Sequence, residues 1–364
     1  MSLIKISAED ALNKLANYAD VIDARSEAEF AEDHLPGAIN WPSLNNEDRQ
    51  LVGTEYKQIS AFDAKKRGAA LVAKNIARHL ERDVIHKPRD WQPLVYCWRG
   101  GKRSGSLALI LDQIGFNVTL VDGGYKAFRA ALVADLPQLA AQFDYRVICG
   151  TTGSGKTRLL QALKALGAQV LDLEALANHR SSVLGLIPGK PQPTQKAYDS
   201  LIWAALKSFD ASRPVYIESE SKKVGNVVIP EGLITAMRAA PCLQLELSDD
   251  ERVELLLEDY DFFVKDIEFF CDRLGALTQA RGKDVVADWQ ARSRSGDVAS
   301  VAGVVRELLV KHYDPVYIQS MKRNFAQYEA APPIAPANRT RAAMLLLAAK
   351  LIASTSVHHA PKNS

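Results

Sequence analysis

The chain has few cysteines, and their positions exclude two common uses of this residue. Its 364 residues include only Cys97, Cys149, Cys242 and Cys271. They have neither the ligand spacing of a zinc site nor the pattern of a disulfide framework. We therefore expect free thiols, no metal bound by cysteine, and a cytoplasmic protein.

Long hydrophobic runs are also missing. A membrane-spanning helix needs about 18 or more apolar residues, and no segment of the chain reaches that length. The apolar run at 342–353 is interrupted by Lys350 and predicts a packed helix. The N-terminus has no apolar core or cleavage site of the kind found in signal peptides. We expect no membrane as a partner.

The chain carries no large excess of charge of either sign. It has 45 Lys and Arg against 43 Asp and Glu, a formal net charge of +2. A nucleic-acid site would therefore have to come from local clusters such as 65–67, 102–103 or 222–223. Most clusters of this size are simply solvated faces, so none of them alone indicates a partner.

What the chain does contain is an alternation of short apolar strands with helical stretches. This alternation predicts an α/β fold with mostly parallel sheets, and the length predicts two domains. Strands are predicted at 20–24, 93–97, 117–124, 145–150, 168–173, 214–219 and 242–247. A boundary falls near 137–145, residues 44–90 predict a charged helical insertion, and 249–325 predict almost continuous helices.

A glycine loop follows the predicted strand at 145–150. It matches G-x-x-x-x-G-K-[ST] through Gly150, Gly153, Ser154, Gly155, Lys156 and Thr157. Such a loop, between a strand and a helix, binds phosphate through backbone N–H groups and the positive end of the helix. We expect Lys156 to contact a terminal phosphate oxygen, and Thr157 to contact either Mg²⁺ or another oxygen.

The ligand of this phosphate loop stays open at the level of the sequence. A nucleotide hydrolase usually holds Mg²⁺ with an Asp at the end of a second strand, whereas this chain offers Glu218 and Glu220. No base-recognition motif is evident, so a ligand other than ATP, either a phosphate or a diphosphate, also stays open. Glu218 would organise Lys156 or a metal, or would only cap a strand.

A second anion-binding loop begins at Cys97, which ends a predicted strand. The residues that follow it are Arg99, Gly100, Gly101, Lys102, Arg103 and Ser104. Loop amides, a helix N-terminus and nearby cations all favour a thiolate, so Cys97 is predicted to be a nucleophile in an anion cradle. The spacing of Cys97 and Arg103, C-x5-R, leaves sulfur transfer through a persulfide and phosphoryl transfer through a thiophosphate both open.

The segments around Cys97 resemble rhodanese domains. The stretch 21–40 matches the leading motif of that family at Asp23, Arg25, Glu29, Phe30, His34, Pro36, Gly37 and Ala38. The stretch 120–129, with its paired glycines, is similar to the closing motif. This resemblance covers about 1–137, favours sulfur-type chemistry, and marks Asp23 and Arg25 as supporting residues. The loop is one residue longer than in common rhodaneses, which would admit a bulkier group such as a selenium species.

The order of the two domains resembles the tRNA 2-selenouridine synthase family. The loop at 97–105, the motif at 150–157, and the sequences IESES at 217–221 and HYDP at 312–315 carry this resemblance. It implies a rhodanese-like domain at 1–137 and a P-loop NTPase-like domain with a helical extension at 145–330. A linker and a C-terminal helix and tail would then occupy 331–364.

The same resemblance implies a reaction on tRNA with 2-thiouridine at the wobble position. Sulfur would be replaced by selenium from selenophosphate, after geranyl diphosphate has alkylated the sulfur. No metal-binding residues are assigned and no cofactor is firmly implied. Mg²⁺ at the phosphate loop and an enzyme that supplies selenophosphate as a protein partner both stay open. We expect prenyl transfer at Lys156 and selenium handling at Cys97.

Three other functions compete with this interpretation. The first is an ATP-dependent tRNA sulfurtransferase that uses a Cys97 persulfide, the second is a cysteine phosphatase, and the third is a non-catalytic anion-binding module. Trp98 would either stack on the target base or pack inside the protein. The motif at 312–315 would either join a site or end a helix.

Overall fold

A computed structural model describes residues 3–180, 185–187 and 189–357. The chain forms two compact units, Met1–Leu136 with Pro193–Ala204 and Pro137–Gln192 with Ala205–Ser364. The predicted tail from residue 358 onward lies outside the described residues, as does Pro188. The sequence places 193–204 in the P-loop domain, whereas the structure places this segment in the first unit.

The first unit contains a five-stranded parallel sheet in the order β1-β5-β4-β2-β3. Its strands are β1 (Ile4–Ile6), β2 (Asp20–Asp23), β3 (Ala38–Asn40), β4 (Pro93–Tyr96) and β5 (Thr119–Val121). All four residues of β4 are buried, as expected for a central parallel strand covered on both faces. The strands predicted at 20–24, 93–97 and 117–124 are confirmed.

Helices cover this sheet and include the predicted insertion. They are α1 (Ala8–Lys14), α2 (Glu27–Glu32), α3 (Asn46–Gln58), α4 (Ala61–His79), α5 (Lys102–Ile114) and α6 (Gly124–Ala140). Asn45 and Ser60 cap α3 and α4 by accepting a backbone N–H of the first turn, the usual role of these residues at a helix start. The helical insertion predicted at 44–90 is therefore confirmed as this pair of helices.

The second unit contains another five-stranded parallel sheet, in the order β12-β11-β6-β8-β7. Its strands are β6 (Tyr145–Cys149), β7 (Gln169–Leu171), β8 (Val215–Glu218), β11 (Cys242–Leu245) and β12 (Pro333–Ile334), beside an antiparallel hairpin of β9 (Lys223–Val224) and β10 (Val227–Val228). The two parallel sheets confirm the predicted α/β fold class.

The remaining helices follow or connect these strands. Their bounds are α7 (Lys156–Ala165), α8 (Leu173–Ala177), α9 (Gln195–Lys207), α10 (Glu231–Ala239), α11 (Asp249–Asp259), α12 (Asp261–Lys265), α13 (Ile267–Gly275), α14 (Thr278–Arg281), α15 (Lys283–Arg294), α16 (Val298–Leu308), α17 (Asp314–Asn324) and α18 (Arg341–Val357). A π-helical turn, Leu309–Tyr313, joins α16 to α17. Helices α11 to α17 form the predicted helical extension, with a core around Trp289.

The segment predicted as a linker contains strand β12 of the P-loop sheet, and the predicted C-terminal helix is α18. Strand β12 pairs with β11 through Gln244–Pro333 and Leu245–Ile334. Helix α18 buries Met344 and Ala348 in the same core as helix α7, because its apolar side chains cover a face of the sheet that would otherwise meet water. Among the described residues, no helix has the length and apolar character needed to cross a membrane.

Candidate functional site

The Cys97 loop connects the carboxyl end of β4 to the first turn of α5. Cys97 is only 3% exposed, but the other three cysteines are buried as well, so burial does not distinguish it. Its hydrogen bonds do. The N–H of Gly101 and the hydroxyl of Ser104 donate to Cys97 Sγ at 3.2 and 3.1 Å. The sulfur therefore accepts two hydrogen bonds at the N-terminus of α5.

The paired glycines of the closing motif make this loop possible. Gly124 has a φ of +57°, and a Cβ there would lie 2.2 Å from the carbonyl oxygen of Cys97 and 2.5 Å from the nitrogen of Gly100. The N–H of Tyr125 donates to the same carbonyl at 2.8 Å. Only glycine permits so close an approach of two backbones, so the turn after β5 shapes the loop.

The cations of the loop have different environments. The Arg103 guanidinium donates to both oxygens of the Glu29 carboxylate, at 2.6 and 3.2 Å, whereas Arg99 and Lys102 are exposed. Burial alone would raise the pKa of Glu29, but the hydrogen bonds and charge of Arg103 outweigh it and lower that pKa. Arg103, predicted to hold the anion, is thus paired with Glu29, a residue of the leading rhodanese motif.

Asp23 and Arg25 form a buried ion pair with an Nη2–Oδ2 distance of 2.6 Å. Arg25 also donates to the carbonyl of Asp33 and lies 3.9 Å from the ring centroid of Tyr125. Trp98 stacks on the same Tyr125 ring, with 5.3 Å between the two ring centroids. Through Asp33 and Tyr125, the pair therefore supports the turn that follows β5.

The phosphate loop connects β6 to α7, as the motif predicts. Lys156 Nζ donates to the carbonyl of Gly150 at 2.6 Å, and Gly153 and Gly155 have φ values of +78° and +86°. Ser154 is buried, and its Oγ has no hydrogen-bond partner among the described residues. An unpaired buried hydroxyl is costly, and a phosphate oxygen is a group that would satisfy it.

Residues outside the motif hold this loop in place. Gly150 N–H donates to the hydroxyl of Tyr317 at 2.7 Å. Arg252 is buried, donates to the carbonyl of Thr152, and pairs with Asp314 at 2.6 Å. Asp314 belongs to the HYDP sequence, so this motif supports the phosphate loop through Arg252. Neither Tyr317 nor Arg252 stands out in the sequence, because each is distant along the chain and carries no local signature.

Three carboxylates gather beside the phosphate loop. Ligand atoms of Glu174, Glu218 and Glu220 all lie within 4.8 Å of one another. Glu218 is 1% exposed, and its Oε1 has no hydrogen-bond partner in the described part of the chain. Burial, then the charges of the neighbouring carboxylates, raise the pKa of Glu218 well above its usual value. Oxygen ligands of this kind suit Mg²⁺.

Of these carboxylates, Glu174 was not singled out from the sequence. It follows β7, and Thr157 Oγ1 lies 3.5 Å from its Oε2. Ligands in open parallel sheets bind at the carboxyl ends of the strands. Glu174 comes directly after the strand predicted at 168–173, and this position could have marked it as a site residue.

The phosphate loop opens into a cavity of about 660 Å³. Its wall carries four cationic side chains and five carboxylates, namely Lys156, Arg158, Arg180 and Lys190 with Asp172, Glu174, Glu218, Glu220 and Asp259. An apolar recess of about 60 Å³ adjoins it and shares Leu256, Tyr260 and Tyr313 with its wall. The second unit can thus receive a ligand with an anionic head and an apolar part.

Comparisons with known proteins place each of the two loops in a domain of known family. Residues 7–131 match the family model of the rhodanese-like domain, and residues 143–275 match the tRNA 2-selenouridine synthase AAA domain. A tRNA 2-selenouridine synthase of Marinobacter nauticus is 31% identical over 338 residues, which cover 85% of this chain and 90% of that protein. The chain belongs to the tRNA 2-selenouridine synthase family.

Another member of this family, from Nitrosomonas europaea, is 37% identical over 247 residues, covering 66% of this chain and 63% of that protein. Among solved structures, a rhodanese-related protein of Thermoplasma volcanium is 21% identical, with a TM-score of 0.23, and covers 34% of this chain and 89% of its own.

Proposed function

We propose that this chain is a tRNA-modifying transferase that replaces the sulfur of wobble 2-thiouridine by selenium. Selenophosphate would be the donor and S-geranyl-2-thiouridine the intermediate. Membership of the family supports the overall reaction. The observation that carries the two-step form is the presence of two separate anion sites, one built around Cys97 Sγ and one around Lys156.

The prenyl step fits the second unit. The sulfur of the base attacks C1 of geranyl diphosphate, a C–S bond forms, and the C–O bond breaks with its electron pair on the diphosphate. Lys156 and the loop amides would stabilise that leaving group. The apolar recess beside Leu256 and Tyr260 would take part of the geranyl chain, which a nucleotide would leave unused.

The selenium step fits the Cys97 loop. Selenium of selenophosphate attacks C2 of the base, and the C2–S bond breaks with its electron pair on geranyl thiolate. Water then cleaves the P–Se bond and releases phosphate. The donors at Gly101 and Ser104 would hold the chalcogen anion beside Cys97, and alkylated sulfur is a far better leaving group than the original thiocarbonyl.

Mg²⁺ fits the carboxylate cluster of the second unit. Glu174, Glu218 and Glu220 offer it hard oxygen ligands, and the unpaired Oε1 of Glu218 would gain a partner. The ion would supply positive charge that neutralises a diphosphate.

Mass spectrometry of 2-thiouridine tRNA tests the proposal. The protein is incubated with geranyl diphosphate and selenophosphate, and each component is omitted in turn. We expect S-geranyl-tRNA without selenophosphate, 2-selenouridine with both, and unchanged tRNA without geranyl diphosphate. Unchanged tRNA with all components would refute the proposal. Turnover that requires ATP and not geranyl diphosphate would favour the sulfurtransferase with a Cys97 persulfide.

A further inference from the structure

His312 of the HYDP motif lies in the wall of the phosphate cavity. It occupies the π-helical turn Leu309–Tyr313, a distortion that proteins often place at functional sites. Its neighbour Asp314 acts on the phosphate loop through Arg252, and Tyr313 contributes to both cavities. His312 itself belongs neither to the phosphate loop nor to the carboxylate cluster.

The hydrogen bonds of His312 fix where its proton lies. Arg281 Nε–H donates to His312 Nδ1 at 2.9 Å, and Arg281 Nη2 lies 3.5 Å from the carbonyl oxygen of His312. A guanidinium does not lose its proton in proteins, so Nδ1 must be the acceptor and cannot carry hydrogen. The neutral ring therefore has its single proton on Nε2. Burial, then the charge of Arg281, lower the pKa of His312, which agrees with a neutral ring.

The Nε2–H group is free to meet a ligand. In the part of the chain that the structure describes, Nε2 has no hydrogen-bond partner. The atom is not fully buried either. His312 lines the same cavity as Lys156, Arg158 and Arg180, and an N–H donor on its ring is suited to an anionic oxygen bound there. Because the ring is neutral, it can hold that oxygen without exchanging a proton with it.

We propose that His312 is a ligand-binding residue that donates Nε2–H to an oxygen of a diphosphate bound at the phosphate loop, with Arg281 as the positioning residue that fixes its tautomer. This inference rests on the proposed function only in assigning a diphosphate to that loop. It assigns to the HYDP motif a direct part in recognising the head of the substrate.

Binding of inorganic diphosphate to the full-length protein, measured by calorimetry, tests the inference. His312→Asn keeps an acceptor near the Nδ1 position for Arg281 but removes the cavity donor, and we expect a five- to tenfold loss of affinity. His312→Gln places an amide N–H near the Nε2 position, and we expect a loss below threefold. Equal affinities in the wild type and both variants, or equal losses in the two variants, would overturn the inference.

The tautomer is tested separately by ¹⁵N NMR of the imidazole, assigned through the signal missing in His312→Gln. We expect hydrogen on Nε2, and its appearance on Nδ1 after Arg281→Gln in part of the population. Hydrogen on Nδ1 in the wild type would refute the role of Arg281. If the wild type failed to bind inorganic diphosphate at all, the phosphate-loop assignment would fail together with this inference, whereas wild-type binding with unaffected variants would refute the inference alone.

Discussion

At the scale of single residues, each loop depends on a partner from a different part of its unit. Arg103 is held by Glu29, which comes from the leading rhodanese motif. The carboxylate of Glu218 is held among like charges with one oxygen unpaired. The charges of Arg103 and Glu29 balance each other within the protein, whereas the Glu218 carboxylate needs a bound proton or a cation.

Replacing Glu29 by Gln tests the first arrangement. The pair is mostly buried, at 16% and 22% exposure, and we expect the first unit to lose about 1–2 kcal/mol of its free energy of unfolding at pH 7. The pKa of Glu29 is lowered on folding. Its contribution is therefore present above the unfolded value of about 4.3 and is lost as pH falls through the folded value.

Urea unfolding followed across pH 3–7 measures this difference. Glu9→Gln, an exposed change on α1, is the control and should have little effect at any pH. A difference between wild type and Glu29→Gln that grew below pH 4 would contradict the assignment.

Replacing Glu218 by Gln tests the second arrangement. We expect Mg²⁺ at 100 times its dissociation constant to stabilise the P-loop unit by about 2.7 kcal/mol, and Glu218→Gln to abolish most of that gain. Because the pKa of Glu218 is raised, the neutral amide should cost little stability in EDTA. Thermal unfolding with and without Mg²⁺ measures both effects, with exposed Asp272→Asn as the control. An unchanged Mg²⁺ response in Glu218→Gln would refute the site.

At the scale of elements, both loops are shaped by segments that follow them in the chain. The turn after β5 packs against the Cys97 loop, and α18 packs against the helix of the phosphate loop. Neither contact is visible in the local motif, and each can be broken by one substitution.

Gly124→Ala tests the first contact. A Cβ there would overlap the carbonyl of Cys97 at 2.2 Å and would sit at a positive φ, so we expect a loss above about 2 kcal/mol. Gly105→Ala is the matched control, because it lies in α5 with nothing within 4 Å and should gain about 0.5–1 kcal/mol. Denaturant unfolding measures both, and iodoacetamide should modify Cys97 faster in Gly124→Ala. Equal stability of the two variants would contradict this account of the turn.

Met344→Ala tests the second contact. Met344 is fully buried, and its Cε would lie 2.6 Å from a Cβ at Gly155. We expect a loss of about 2–4 kcal/mol in the free energy of unfolding, seen as a lower melting temperature of the P-loop unit. Leu346→Ala lies on the same helix but is 67% exposed, and it should change stability by less than about 0.5 kcal/mol. Similar losses in both variants would argue against the packing of α18 described above.

At the scale of the whole molecule, the sequence predicted those elements whose structure depends on residues close together in the chain. The strands at 20–24 and 93–97 and the strand-loop-helix around Lys156 follow from hydrophobic runs and glycine spacing, and the structure has them. The edge strand Pro333–Ile334 was predicted as linker, because two residues carry no periodicity and pair only once β11 exists. Tyr317 could not be joined to the site, since only the tertiary fold brings it to Gly150.

The separation of the two anion sites leads to a prediction about intermediates. We expect Cys97→Ser to accumulate S-geranyl-tRNA, and Lys156→Ala to leave 2-thiouridine unchanged yet to convert tRNA that is already geranylated. Mass spectrometry of the nucleosides distinguishes these products. Lys156→Ala that still geranylates but no longer selenates would overturn the assignment of the prenyl step to the phosphate loop.

The inclusion of 193–204 in the first unit has a consequence for how the chain is made. Lys196 pairs with Glu32, Ser200 donates to Asp33, and Asp199 pairs with Arg129. Lys196, Asp199 and Ser200 leave the ribosome only after the first part of the P-loop unit, 137–192, has been translated. At 5–20 residues per second, the N-terminal part waits roughly 3–14 s for its last segment, so a chaperone would meet it in an unfinished form, and a gene cut near codon 140 would never supply the missing piece.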